Sequence, residues 1–231
     1  MLFKKSSIFF FTMEKQTLSL EHNFRPSSSH TKNCPTIVML HGFGSDENDL
    51  FSFSTELPNE YMIISLKAPL KLQPFGNAWY NIYFDQDNGK FSDNDQAIES
   101  RELVVKCIDE IIIKYHADKN NITLIGFSQG TILSFAVALS YPEMIKNVIG
   151  LSGYIDKEIL VDGYSEKDHN DLNVYSSHGN VDQLIPVEWA RNTKPFLEKM
   201  GIDCVYSEFP VGHGVAPQNF YEFKEWLLQH P

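Results

Sequence analysis

Asn121-Ile122-Thr123-Leu124-Ile125-Gly126-Phe127-Ser128-Gln129-Gly130 is the stretch from which the rest of the chain can be read. A β-branched apolar run ends in Gly-x-Ser-x-Gly, and a helix-forming run, Thr131 to Ser140, follows at once. That order is a strand, a sharp turn and a helix, the setting in which a serine nucleophile is held at the top of a sheet. The turn strains the backbone at Ser128, so its close neighbours must be small; Gly126 and Gly130 meet that need. The competing reading is a glycine-rich turn whose serine merely caps the helix. A base, an acid and an oxyanion site elsewhere in the chain would decide between them.

The 231 residues can form one α/β domain, and 42% hydrophobic residues suffice for a sizeable core. A formal net charge of −11 argues against nucleic acid or an anionic membrane as partner. Cys34, Cys107 and Cys204 are odd in number, widely spaced and without a CxxC or Cys/His pattern. They read as reduced, partly buried thiols of a cytoplasmic protein. Ile8-Phe9-Phe10-Phe11 after Lys4 and Lys5 superficially resembles a signal peptide. The patch falls short of the ~7–15 apolar residues of such a segment, and no run approaches the ~20 of a membrane span. Residues 1–15 are therefore expected to be a disordered extension, with Met1 to Thr12 an extension or an over-called start. Residues 16–231 are expected to form one domain.

Along the chain, Gln16–Phe24 alternates as a half-buried strand, and Thr36–Leu40 is a continuous apolar strand stopping at His41-Gly42-Phe43-Gly44. Asp46–Leu57 reads as a helix and Tyr61–Leu66 as a strand. Leu70–Asn94 lacks periodicity but gathers Phe75, Trp79, Tyr80, Tyr83, Phe84 and Phe91, which predicts a long functional loop or lid. Asp95–Tyr115 is the clearest helix, with Ile98, Val105, Ile108, Ile112 and Tyr115 as its apolar stripe. Val148–Leu151 and Asn173–Ser177 follow as strands, the second opening on His178-Gly179-Asn180-Val181-Asp182. Val187–Met200 reads as a helix, Cys204–Phe209 as a strand before Gly212-His213-Gly214, and Gln218–Gln229 as a last helix. Strands alternating with helices predict a predominantly parallel sheet covered on both faces.

Serine needs a base to remove its proton and an acid to orient the base. In α/β-hydrolases these follow the serine in the order acid, then histidine, each on a loop after a strand. Asp182 and His213 satisfy that order at strand C-terminal ends, where open parallel sheets carry their sites. Of the eight histidines only His213 and His230 follow Asp182, and His230 stands next to the last residue. Glu188 and Asp203 are poorer acids by position, and Asp156 is the reserve. The backbone N–H groups of Gln129 and Phe43 are the candidate oxyanion donors. His41, before Gly42, reads as structural rather than as a base or ligand.

His41-Gly42-Phe43-Gly44, Gly126-Phe127-Ser128-Gln129-Gly130, His178-Gly179-x-x-Asp182 with Pro186, and Gly212-His213-Gly214 together resemble the phospholipase/carboxylesterase family, which includes the acyl-protein thioesterases. The resemblance runs from about Thr36 to Leu228. It implies an α/β-hydrolase fold without a large cap domain, Ser128, Asp182 and His213 as triad, and Phe43 and Gln129 as oxyanion hole. Ala78-Trp79-Tyr80 is similar to a segment beside the family's acyl site, so Phe75, Trp79 and Tyr80 are expected to bind substrate. Thr131 departs from the third motif glycine of many relatives, and the crowding is expected to alter pocket width. The expected activity is hydrolysis of carboxylic esters or thioesters, of small molecules, acyl-lipids or acylated proteins. It implies no metal or organic cofactor and no stable membrane insertion, and is compatible with a monomer or a homodimer. An acyltransferase or a peptidase on the same triad, or a catalytically silent binding protein, are the alternatives. Product analysis with an added acceptor separates the first. Only 35 residues before Thr36 leave little room for a peptidase's gating domain, and no triad member is missing as in a silent binder.

Overall fold

In the computed structural model, residues 13–29, 32–85 and 89–231 are described. The strands β1 (His22–Arg25), β2 (Cys34–Leu40) and β3 (Met62–Leu66) come first, the last two formed by the apolar runs of the sequence. Two short hairpins follow, β4 (Leu70–Lys71) with β5 (Asn77–Ala78) and β6 (Ile82–Asp85) with β7 (Gly89–Ser92). Helix α1 (Asn94–Lys114) leads to β8 (Ala117–Phe127), α2 (Gln129–Ser140), β9 (Asn147–Leu151) and β10 (Asn173–Gly179). Two short helices, α3 (Val187–Arg191) and α4 (Thr193–Glu198), precede β11 (Cys204–Phe209) and α5 (Pro217–Gln229).

Seven strands form one sheet in the order β1-β3-β2-β8-β9-β10-β11, in which only β1 runs antiparallel to its neighbour. The central strands are buried on both faces because their side chains alternate between two cores. Val38 and Leu40 of β2, with Leu124 of β8 and Val148 of β9, face α1 and α2. Ile37, Met39, Ile125 and Ile149 face the other way, against Leu50, Leu57 and the Phe220, Phe223 and Leu227 side of α5. All three cysteines are buried and outside any disulfide, and burial pushes the thiol of Cys107 up to about 11 and that of Cys204 to about 12.

Several expectations are corrected. The helix expected over Asp46–Leu57 is a turn followed by a 3-10 segment, Leu50–Thr55, and the long loop over Leu70–Asn94 holds the two hairpins. Val187–Met200 breaks at Asn192 into α3 and α4. The buried stripe of α1 is Ala97, Ser100, Arg101, Val104, Cys107, Ile108 and Ile111, leaving Ile98, Val105 and Ile112 at its margin. A count of large apolar residues misses it because Arg101 is buried through hydrogen bonds to Ile159 O and Glu102. Regular pairing in the first strand begins only at His22 rather than Gln16. Met13 packs against the α1–α2 core, and Met1–Thr12 of the expected extension lie outside the described residues.

Candidate active site

Ser128 joins β8 to α2 with φ 55° and ψ −117°, a strained conformation for a residue with a Cβ. Close packing on every side keeps it there. A Cβ on Gly126 would lie 2.5 Å from Gly130 O, and one on Gly130 would lie 1.9 Å from Leu40 O. The glycines therefore serve contacts beyond the serine itself: Gly130 lets the first turn of α2 rest on the end of β2. The turn after β2 is held as near, since a Cβ on Gly42 would stand 3.3 Å from Ser128 Cβ.

His213 Nε2 is 2.8 Å from Ser128 Oγ, and His213 Nδ1 is 2.6 Å from Asp182 Oδ2. The three residues predicted from chain order thus form one hydrogen-bonded line. With Nδ1–H donating to the carboxylate, Nε2 is left to accept from the serine hydroxyl. The Asp182 side chain is fully enclosed. Burial alone would raise its pKa, but hydrogen bonds from His213 and from the Ile185 and Leu184 N–H groups, with the His213 charge, hold it below the usual carboxylate value. Of the rival acids, Glu188 is exposed beside Arg191, and Asp203 is exposed ahead of β11. Asp156 caps a 3-10 turn, accepting from Glu158 N. Neither Glu188, Asp203 nor Asp156 bonds to His213.

Gln129 opens α2, where a helix leaves its first N–H groups without an intrahelical acceptor. Its side chain ties the site together: Oε1 accepts Trp79 N–H at 2.8 Å and Nε2 donates to Tyr80 O at 2.7 Å. Trp79 Nε1 donates in turn to His41 O at 2.9 Å. His41 is buried, donates from Nδ1 to Gly42 O and accepts Ala68 N–H at Nε2, and burial lowers its pKa. Its two ring nitrogens are thus both occupied by backbone. This network joins the turn bearing Phe43 to the turn bearing Gln129.

A cavity of about 450 Å³ opens beside Ser128 and His213, with Phe43 and Gln129 also lining it. Tyr80, Ile82, Ile132, Tyr154, Leu184, Ile185 and Trp189 make most of its wall, with Asp49 and Asp156 among the polar groups. Two of the three residues expected to bind substrate do not line it. Trp79 is wholly buried behind the wall in the network just described, and Phe75 projects into solvent, 77% exposed. Tyr80 does line it; burial first, then the nearby Tyr154 and Asp156, raise its phenol well above the ordinary value. The side chains of Phe84 and Phe91 lie outside the described part of the chain. Thr131 is also absent from the wall. Ile132, Tyr154, Leu184, Ile185 and Trp189 escaped the sequence reading because they come from four separate turns and helices with no shared motif. Among the described residues no group of three or more His, Cys, Asp and Glu is arranged as metal ligands, and no helix is long and apolar enough to cross a membrane.

A mostly parallel sheet with a serine elbow between a central strand and its helix, and an acid and a histidine after later strands, defines an α/β-hydrolase. The solved structure of esterase PE8 has the same fold, with a TM-score of 0.81 and 23% identity over 92% of this chain and 99% of that one. The chain belongs to the phospholipase/carboxylesterase family, whose model matches residues 22–230. Acyl-protein thioesterase 1 of Kluyveromyces lactis is 33% identical over 154 residues, 66% of each chain. An Oryza sativa subsp. japonica protein named as a probable carboxylesterase is 25% identical over 155 residues, 66% of this chain and 58% of its own length. The matches thus span less than two thirds of these two relatives' own lengths.

Proposed function

We propose that this chain is a serine esterase that hydrolyses carboxylic esters or thioesters through an acyl-enzyme. The observation that carries the reading is the unbroken line from Ser128 Oγ to His213 to Asp182, at 2.8 and 2.6 Å. His213 takes the hydroxyl proton as Ser128 Oγ attacks the substrate carbonyl carbon. The oxyanion is received by the N–H groups of Phe43 and Gln129. His213 then gives its proton to the departing alkoxide or thiolate, which leaves the acyl group on Ser128. Water, deprotonated by His213, attacks the acyl carbon, and His213 then returns that proton to Ser128 Oγ as the carboxylic acid departs. Asp182 holds the imidazole in the tautomer this cycle needs and stabilises its charged form.

The largely apolar cavity beside Ser128 supports an acyl chain as the group bound there, from a small-molecule ester or thioester, an acyl-lipid or an acylated protein. Three buried cysteines, none of them in a disulfide, support the cytoplasm as compartment. The test is a panel of p-nitrophenyl esters from acetate to palmitate, run with a fluorophosphonate probe on wild type and Ser128→Ala. Ester turnover and probe labelling, both lost in the variant, are expected. Full activity in Ser128→Ala would overturn the reading, and dominant transfer to an added alcohol would make the enzyme an acyltransferase.

A further inference from the structure

We propose that His178 is a positioning residue for this reaction, acting through Asp182. The inference rests on the triad reading above and adds a group that the sequence motif alone did not place. His178 is the penultimate residue of β10, its side chain fully enclosed. Its Nε2 hydrogen-bonds Ile185 O at 3.0 Å and stands 3.2 Å from Asp182 Oδ2, the same oxygen that faces His213. Both neighbours of Nε2 are acceptors, so that nitrogen carries the hydrogen. Nδ1 has no hydrogen-bond partner among the described residues.

Two features make this more than packing. First, the loop that His178 grips is the one that presents the acid. Asp182 Oδ1 accepts Leu184 N–H at 2.8 Å and Ile185 N–H at 3.0 Å, and His178 bonds the carbonyl of that same Ile185. The turn 182–185 is therefore held to the end of β10 by this side chain as well as by the Asp182 N–H bond to Gly179 O at 3.2 Å. Second, a buried polar ring with one nitrogen unmatched costs stability, so an apolar ring would fill the space more favourably. What the apolar ring would lack is the N–H, whose positive end lies against Ile185 O and Asp182 Oδ2. Without it the carboxylate loses a nearby dipole and the turn loses its tether at Ile185, and the acid drifts relative to His213 Nδ1. On β11, Glu208 pairs in register with His178, but its carboxylate is engaged by Arg191 at 2.7 and 2.8 Å. Glu208 is thus occupied elsewhere.

The experiment compares His178→Phe, which keeps a ring and removes the donor, with His178→Gln, whose amide nitrogen lies the same number of bonds from Cα as Nε2. In the full-length enzyme, His178→Phe is expected to lower kcat on the order of tenfold or more while KM stays within about twofold. His178→Gln is expected to recover most of that loss. Should the Phe variant fail to fold, His178→Asn, whose amide is one carbon too short, takes its place against Gln. The same pair is then measured in an Asp182→Asn background, where removing the donor is expected to cost less than about twofold further, because the group it positions is already neutral. A wild-type kcat in both Phe and Asn variants, or an equal loss with and without Asp182, would overturn the proposal. Ser128→Ala runs alongside: if it stays active, the parent reading falls, whereas an inactive Ser128→Ala with normal His178 variants refutes this inference alone.

Discussion

Thr131 carries the sharpest prediction. The residue was expected to alter the width of the acyl pocket, yet its side chain is buried between the elbow and β9, away from the cavity. Its hydroxyl accepts Leu151 N–H at 2.9 Å and lies 2.7 Å from both Gly126 O and Leu151 O. It therefore bridges the ends of β8 and β9 where Ser128 N–H also bonds Leu151 O, at 2.9 Å. Thr131→Val keeps the shape and removes the bridge, leaving a buried N–H and a buried carbonyl short of a partner. At about 1–3 kcal/mol for each of the two unmet groups, less about 1 kcal/mol regained from the added methyl, the cost is roughly 1–5 kcal/mol. For a chain of this size that corresponds to a fall in Tm of roughly 2–20 °C. Thr131→Ser retains the hydroxyl and loses only the methyl lying over Gly150 and Gly153, a cost of about 1 kcal/mol. Thermal and urea unfolding of the two variants, with kcat for a short ester, tests the account. The Val variant should be the less stable and the slower, and neither should change acyl-chain preference. Val as stable as Ser, or a shifted chain-length profile in Ser, would refute it.

The other predictions rest on separate contacts. Gly130→Ala places a Cβ 1.9 Å from Leu40 O, where contacts under 3.0 Å essentially never occur, so α2 must retreat by about 1.1 Å (3.0 − 1.9). A shift of that size costs about 10²-fold in rate, and normal kcat in a folded variant would contradict the packing described. Burial raises the pKa of Asp156 above its ordinary 3.8, so the folded state resists its ionisation. The penalty is absent below that ordinary value, grows as pH rises through the folded pKa, and is complete above it. Asp156→Asn keeps the cap on Glu158 N–H and should raise Tm at pH 7 but not well below pH 3.8; a pH-independent difference would count against it. Trp189→Ala, at the cavity wall, should favour longer acyl chains in kcat/KM, whereas Trp79→Phe, behind the wall, should lower Tm through the lost bond to His41 O and leave chain preference unchanged. The reverse pattern would restore Trp79 to the acyl site.

How much of this was legible in the sequence depended on whether the signal was local. A strand buried on two faces must be apolar throughout, so β2, β3, β8 and β9 stand out in the chain. The cap of α1 is local too, with Asp93 accepting Gln96 N–H, but the buried face is not, because Arg101 and Ser100 enter it through bonds to Ile159 O and Trp79 O. The hairpins within Leu70–Asn94 were missed because they are two and four residues a strand, too short to show alternation.

Ser128, Asp182 and His213 could be picked from sequence because each follows a strand, and parallel strands bring their C-terminal ends to one edge of the sheet. Their order and spacing, and the small residues around Ser128, are properties of the chain itself. The distances, the cavity wall and the partners of Asp182 are not. Tyr154 after β9, Leu184 after β10 and Trp189 on α3 meet Ile132 of α2 only because β8, β9 and β10 lie side by side. The same adjacency sends Thr131 into the seam between β8 and β9 rather than into the pocket, and turns His178 from a motif residue into a neighbour of the acid. Side-chain type is a property of sequence; which side chains share a space is decided by the pairing of strands far apart in it.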